Sequence, residues 1–107
     1  MPSQQQINAF TLAFHRVAIE RLGQTPAMVE RALQTIVRWQ TQRGSSASDP
    51  YMAEWKALLS ADLSQLQKRV CGGDDHAATL RNTSPLGFVL TPAERHTLRG
   101  EIMRASA

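Results

Sequence analysis

The side chains with the most reactive chemistry are gathered at one point of this 107-residue chain. Cys71 is the single thiol, and Asp74, Asp75 and His76 follow closely. Such groups serve as nucleophiles and metal ligands. However, no second cysteine or histidine lies at a metal-binding spacing, and Cys71 is expected at a helix carboxyl end, where the dipole disfavours a thiolate. We therefore predict an unreactive cysteine, aspartates that cap a helix, and no metal site.

The remaining candidates for catalysis are isolated from one another. His15 lies in the first predicted helix and His96 in the last, and a lone helical histidine is typical of a surface or boundary position. Gly72 and Gly73 are not part of the glycine-lysine pattern that forms a phosphate-binding loop. The sequence therefore predicts a protein that is not an enzyme and that uses no cofactor and no small-molecule substrate.

Arginines near the carboxyl terminus form a candidate nucleic-acid surface. Arg95 and Arg99 are one helical turn apart in the last predicted helix, and Arg104 follows them. Such a face suits contact with phosphates, although it also suits a solvated face or pairing with acidic residues elsewhere. The aromatic residues do not interleave with these arginines, which argues against binding of a single strand.

Residues 15–34 offer a second route to DNA, because they resemble the helix-turn-helix family. Gly23 matches the turn glycine and Val29 matches the aliphatic position six residues later, whereas Ile19 departs from the small residue expected four positions before the glycine. Arg31 is the residue of the would-be recognition face that is typical of base reading. The resemblance implies DNA binding, and an ordinary αα-hairpin is the alternative.

Large apolar residues form a candidate protein interface. Trp39, Tyr51 and Trp55 flank a linker-like stretch, and Leu86 and Phe88 lie in a short apolar segment further on. Aromatic residues of this kind anchor interfaces, but in a small bundle they also fill the core, and both interpretations stay open. We predict these five residues as contacts with a partner protein or with a second copy of the chain.

The helix boundaries are marked by capping residues followed by proline. A side-chain oxygen accepts from an unpaired backbone N–H, and proline at the first helical position needs no partner for its nitrogen. The pairs that predict helix starts are Thr25–Pro26, Asp49–Pro50 and Thr91–Pro92. Glu94 adds a capping box to the last of them.

Apolar periodicity between these signals predicts an all-α fold, a compact bundle of four to five short helices in a single domain over residues 1–107. The first helix is expected at the centre of the core and is expected to end at Gly23 in the left-handed conformation. A flexible linker is expected near residues 44–49, and residues 82–90 are expected to be irregular and packed against the body. The predicted spans are 4–22, 26–43, 50–71 as one long helix or as two with a break at Ser60, 75–81 and 92–104.

Composition and charge narrow the class of protein further. The hydrophobic fraction of 42% supports a core, and the formal charge of +3 is only mildly basic. Residues 1–44 carry a net charge of +3, residues 45–75 carry −2 and residues 76–107 carry +2. The residues at the amino terminus show no secretory signal, no run is apolar enough for a membrane, and the lone cysteine fits a reducing compartment, so we expect a cytoplasmic protein.

The leading functional hypothesis is a non-enzymatic protein that binds and neutralises or regulates a partner protein through an apolar helix face rimmed by arginines. In its general texture (short, arginine-rich, helical, without catalytic residues) the chain is similar to small bacterial accessory proteins such as antitoxins. A homo-oligomer is also compatible with this hypothesis. The alternative is a DNA-binding transcriptional regulator that uses the Gly23 hairpin or the arginine-rich last helix.

Overall fold

The computed structural model describes residues 3–105, which fold into six helices without strands, and 78% of these described residues are helical. The all-α class is therefore confirmed, and the expected number of four to five helices was too low by at least one. The helices are α1 (Gln4–Gln24), α2 (Pro26–Arg43), α3 (Asp49–Leu59), α4 (Leu63–Val70), α5 (Asp75–Asn82) and α6 (Pro92–Ala105). None of the helices in this described part of the chain is long and apolar enough to cross a membrane.

Reciprocal hydrogen bonds fix the starts of the first and last helices. Glu94 N–H donates to Thr91 Oγ1 at 3.1 Å, and Thr91 N–H donates to the Glu94 carboxylate at 2.9 Å. This arrangement is the predicted capping box. Ser3 and Gln6 form a second capping box at the start of α1, which the sequence analysis did not predict.

Three other predicted side-chain caps are wrong. Asp74 directly precedes α5, but its side chain makes no capping hydrogen bond. The Thr25 side chain makes no capping hydrogen bond at the start of α2. Asp49 lies inside α3 rather than before it, and its carboxylate instead accepts from the Ser46 N–H of the preceding turn at 3.1 Å. Proline at or near the first position is enough to start α2 and α3, because its fixed φ angle already suits a helix.

The apolar stretch from Pro50 to Cys71 forms two helices and not one, which is one of the two arrangements left open. Ser60 ends α3, and Asp62 caps α4 by accepting from the Ser64 N–H at 2.9 Å. The break therefore lies at Ser60, as that alternative predicted. However, the residue that caps the new helix is Asp62, two positions later.

Helix α1 is central, because it packs against α2, α4, α5 and α6. Its residues Phe14, Ala18, Ile19 and Leu22 are buried in one core with side chains from every other helix except α6. Trp55 of α3 is fully buried, and its indole N–H donates to the Leu80 carbonyl at 3.0 Å. The core is thus built around α1, which is covered on several sides, and the expected central position of the first helix is confirmed.

His15 is buried inside this core, so the expectation of a surface or boundary position was wrong. Its side chain is 2% exposed, and its Nδ1 lies 2.7 Å from the Thr11 carbonyl. A carbonyl only accepts, so Nδ1 carries the proton and Nε2 is the unprotonated nitrogen. Nε2 is buried without a hydrogen-bond partner. Burial, and secondarily the charge of Arg81, lower the pKa of His15 to about 4, against the opposing effect of the Thr11 carbonyl.

Residues 83–91 connect α5 to α6 and pack against the body, as predicted. Pro85, Leu86, Val89 and Leu90 are buried, and Phe88 is half-buried at the edge of the segment. Helix α6 follows and is held differently, because it has no buried residue among those described and packs against α1 alone among the helices. The carboxyl-terminal helix is therefore the most peripheral element of the fold.

The hairpin of α1 and α2 differs from a helix-turn-helix. Only Thr25 separates the two helices, whereas that motif needs a turn of about three to four residues. Gly23 does not adopt the left-handed conformation, since among the described residues Gly44 is the glycine with positive φ, at 67°. Gly23 is a helical residue, and the prediction that it ends α1 was wrong.

Two glycine substitutions test the helical assignment of Gly23, with Gly44 after α2 as the comparison. Gly23→Ala is expected to raise the free energy of unfolding by roughly 0.5–1 kcal/mol, because alanine suits a helix and the new Cβ would meet Leu63 Cδ1 at an ordinary 3.4 Å. Gly44→Ala is expected to lower it by about 1 kcal/mol, because φ is positive there. Urea unfolding measures both values. A loss of stability in Gly23→Ala equal to that of Gly44→Ala would contradict the helical assignment.

Candidate interaction surface

The arginines of α6 lie over the phenylalanines of α1. The guanidinium of Arg95 is 5.1 Å from the ring centroid of Phe14, and that of Arg99 is 4.6 Å from the ring centroid of Phe10. Arg95 and Arg99 are four residues apart on α6, and Phe10 and Phe14 are four residues apart on α1. The two cation–π contacts therefore lie one above the other. The expectation that aromatic residues do not interleave with these arginines was therefore wrong.

A partly exposed ion pair fixes the start of α6 against α1. Arg21 makes a bidentate contact with the Glu94 carboxylate and also donates to the Val89 carbonyl at 3.3 Å. Hydrogen bonds from Arg21 and from the capping Thr91 lower the pKa of Glu94 to about 2. Glu94 thus serves to position α6, and its charge is already neutralised by Arg21.

An apolar groove runs between the first turns of α1 and the last turns of α6, and we name it the α1–α6 groove. It has a volume of about 360 Å³ and is lined by Gln6, Ile7, Phe10, Arg99, Ile102 and Met103. Ile7 is 45% exposed and Met103 is 40% exposed. The apolar stripe of α1 therefore extends beyond the core toward its amino-terminal end, where Ile7 stays exposed beside the last turns of α6.

A more polar cleft lies between α2 and residues 83–91, and we name it the α2 cleft. Its volume is about 480 Å³, and its lining includes Arg31, Gln34, Arg38, Trp39, Ser84 and Phe88. The Arg31 guanidinium lies 4.4 Å from the ring centroid of Phe88, and the Arg43 guanidinium lies 5.5 Å from that of Trp39. The cleft therefore presents planar cations and aromatic rings side by side.

A shallow central groove of about 190 Å³ lies between the α2 cleft and the α1–α6 groove. It shares Ser84 and Gly87 with the α2 cleft and Phe10 with the α1–α6 groove, and Arg81 and Arg95 also line it. Among residues 3–105, no aspartate or glutamate lines any of these three depressions. The three together form a continuous acid-free surface.

Comparison with models of protein families, with curated proteins and with solved structures finds no significant match to this chain. Inferences about function therefore rest on the chemistry of the three depressions described above.

The residues predicted as protein contacts are dispersed by the fold. Trp55 and Leu86 are fully buried in the core, so they cannot contact a partner of the folded chain. Tyr51 is half-buried, with its ring 5.7 Å from that of His76. Trp39 and Phe88 are half-buried and meet in the α2 cleft. Of these five residues, Trp39 and Phe88 are therefore the two that line a common depression.

The arginines predicted as nucleic-acid contacts are distributed over two places. Arg31 lies in the α2 cleft beside Trp39 and Phe88, although it was predicted for a different class of partner. Arg95 and Arg99 lie over α1, as described above. Arg104 is exposed near the end of α6, with its guanidinium beside Gly100. The structure thus joins residues that the sequence analysis assigned to separate functions.

Several residues of this surface were not predicted from the sequence. Ile7, Phe10 and Met103 line the α1–α6 groove but were not among the residues predicted to contact a partner. Arg38 was not singled out, yet it lies seven residues after Arg31, which places both on one side of α2. The seven-residue spacing of Arg31 and Arg38 could have indicated their common side from the sequence, because this inference requires only the helical period.

The sequence cluster around Cys71 has other uses in the structure. His76 Nε2 lies 2.6 Å from a Glu54 oxygen, and Asp74 pairs with Arg69 at 3.5 Å. Burial raises the pKa of the half-buried Cys71 thiol, with nearby arginines opposing the effect. Within the part of the chain that is described, no group of three or more such side chains could hold a metal ion.

Proposed function

We propose that this protein is a non-enzymatic interaction protein that binds a partner protein in the α1–α6 groove and neutralises or regulates it by covering part of its surface. One observation carries this proposal. Three large hydrophobic side chains are exposed within residues 3–105, namely Ile7, Val37 and Met103, and two of the three line this groove. Adjacent exposed apolar side chains mark interaction sites, whereas scattered ones do not.

The shape of the groove favours the apolar face of a short amphipathic helix. Its walls are single turns of two helices, so it accommodates two or three side chains of a partner. Arg99 stands at its rim, and no carboxylate lines it among the described residues. A partner helix with an acidic residue beside its apolar face would therefore complement both the apolar floor and the arginine.

An antitoxin-like role is the sharpest form of this proposal. It is supported by the small helical chain and by the peripheral α6, whose contacts with α1 leave one side of that helix for a partner. Steric occlusion requires only that the partner's functional surface includes the segment that docks, so no reactive side chain is needed on this protein.

A charge-introducing pair of variants tests the proposal. The double variant Ile7→Glu with Met103→Glu is expected to weaken the complex roughly 30-fold or more, because it places two carboxylates at the centre of an apolar contact. Val37→Glu is the matched control, since Val37 is 53% exposed but lies on α2 outside the groove. The partner is first recovered from nuclease-treated host lysate, and its affinity for each purified variant is then measured by calorimetry.

Circular dichroism verifies that all variants keep their helical content. Selective loss of binding in the double variant would support the groove as the docking site. Equal loss in Val37→Glu, or a complex that survives both substitutions in the groove, would contradict it.

A further inference from the structure

We propose that the α2 cleft binds single-stranded nucleic acid. This site differs from the α1–α6 groove in position and in chemistry, and it does not depend on the protein partner proposed above. Its volume of about 480 Å³ lies in the range of sites that hold a small planar ligand.

The charges of the cleft suit phosphates. Arg31 and Arg38 lie two helical turns apart on the wall formed by α2, and no carboxylate lines the cleft among residues 3–105. Glu30 is the nearest acidic residue along that wall, and it is outside the lining, where it accepts a long hydrogen bond from Gln34 at 3.5 Å. The local charge is therefore positive although the whole chain is only mildly basic.

The flat surfaces of the cleft suit nucleobases. The half-buried rings of Trp39 and Phe88 line it, and the Arg31 guanidinium lies 4.4 Å from the centroid of the Phe88 ring. Single strands bind proteins by stacking their bases on aromatic rings and on arginine planes, with the phosphates on a basic track. An acidic peptide would use the arginines but would gain nothing specific from a series of planar groups.

The continuation of the cleft suits a strand longer than one nucleotide. Past Ser84 and Gly87 the central groove leads to Arg95, which lies above Phe14. Two pairs of an arginine and a phenylalanine, one in the α2 cleft and one in the central groove, thus follow one another along an acid-free path. A duplex hides its bases in its stack and would not enter these concave depressions, so the geometry favours a single strand.

Tryptophan fluorescence offers a direct test. The chain has two tryptophans, and Trp55 is fully buried, so an added oligonucleotide reaches only Trp39. Titration with a ten-residue oligothymidylate at low salt is expected to quench the emission. The affinity should fall as salt rises, because phosphate contacts release counterions.

Variants of equal charge separate a specific site from general attraction. Arg31→Ala with Arg38→Ala is expected to weaken binding about tenfold or more and to reduce the salt dependence by roughly 0.7 per lost phosphate contact. The control is Arg16→Ala with Lys68→Ala, which removes the same charge from exposed positions outside all three depressions. Trp39→Ala, followed with a fluorescent oligonucleotide, should also weaken binding about tenfold through lost stacking.

Binding that is lost in the cleft variants and kept in the control would support the proposal. Any of four results would overturn it. These are absence of binding to the oligothymidylate at low salt, equal weakening in the control pair, and equal affinity for a ten-residue polyglutamate or higher affinity for a duplex of the same length. Binding of the protein partner should be unchanged in Arg31→Ala with Arg38→Ala, so failure of either proposal leaves the other testable.

Discussion

Replacing Trp55 with alanine is expected to lower the free energy of unfolding by about 3–5 kcal/mol, which is a large part of the stability of a domain this small. Trp55 is 0% exposed, and it belongs to the core cluster together with residues of α1, α2, α4 and α5. Truncation would leave a cavity and would also leave the Leu80 carbonyl without the indole N–H that it accepts at 3.0 Å.

Two comparisons make this expectation specific. Trp39→Ala removes the same side chain from a half-buried position and is expected to cost roughly 1 kcal/mol. Trp55→Phe keeps an aromatic ring but loses the N–H donor, so its cost should fall between those of the two alanine variants. Urea unfolding followed by circular dichroism measures all three without depending on tryptophan emission. If Trp55→Ala cost no more than Trp39→Ala, the assignment of Trp55 to the core would be wrong.

The contrast between the two tryptophans shows what the sequence could not decide. Both lie in apolar faces of predicted helices beside the same linker, so periodicity treats them alike. What separates them is the tertiary fold, which brings α5 and its Leu80 carbonyl against Trp55 and leaves Trp39 at the edge of a cleft. The spacing of apolar residues predicts the side of the helix on which a residue lies. How deeply that residue is buried depends on which other elements cover that side.

The helices themselves were largely predictable, because their signals are local. The bounds of α2 were predicted residue for residue, and Thr91 caps α6 with Glu94 as expected. One error arose where two local hydrogen bonds compete. Asp49 was expected as a cap, but its carboxylate accepts from Ser46, which precedes it, and such alternatives cannot be ranked from residue type alone.

The candidate surface was predictable in its parts and not in its assembly. Arg95 and Arg99 are four residues apart, as are Phe10 and Phe14, and each pair marks one helix face. Their juxtaposition joins opposite ends of the chain through the packing of α6 on α1. No property of α1 alone or of α6 alone specifies that contact. The common surface of the arginines and the phenylalanines therefore could not be predicted from either helix separately.

Stability is expected to fall as the pH decreases from about 6.5 to about 4, by an amount on the order of 3 kcal/mol from His15 alone. The pKa of His15 is about 4 in the folded chain, against 6.5 as the ordinary value. Above pH 6.5 the imidazole is neutral in both states and the full stability is present. Between the two values the unfolded state binds the proton and the folded state does not, so acidification favours unfolding.

The geometry explains why the folded state resists protonation. His15 Nδ1 already donates to the Thr11 carbonyl, so a second proton must go to Nε2, which is buried without an acceptor. The resulting cation would be desolvated and would also be repelled by Arg81. Glu94 contributes mainly at lower pH, because its pKa falls from an ordinary 4.5 to about 2 in the folded chain, so the stability it supplies is lost mostly between those two values.

His15→Asn isolates the contribution, because an amide can replace the Nδ1 donor to Thr11 but does not titrate. This variant is expected to lose most of the pH dependence of the free energy of unfolding between pH 6.5 and 4, whatever its absolute stability. His96→Asn removes an exposed histidine of α6 and serves as the control. Urea unfolding at successive pH values gives the slopes, and nuclear magnetic resonance follows the His15 imidazole directly. A His15 midpoint near 6.5 in the folded chain, or equal slopes in wild type and His15→Asn, would contradict the buried neutral imidazole.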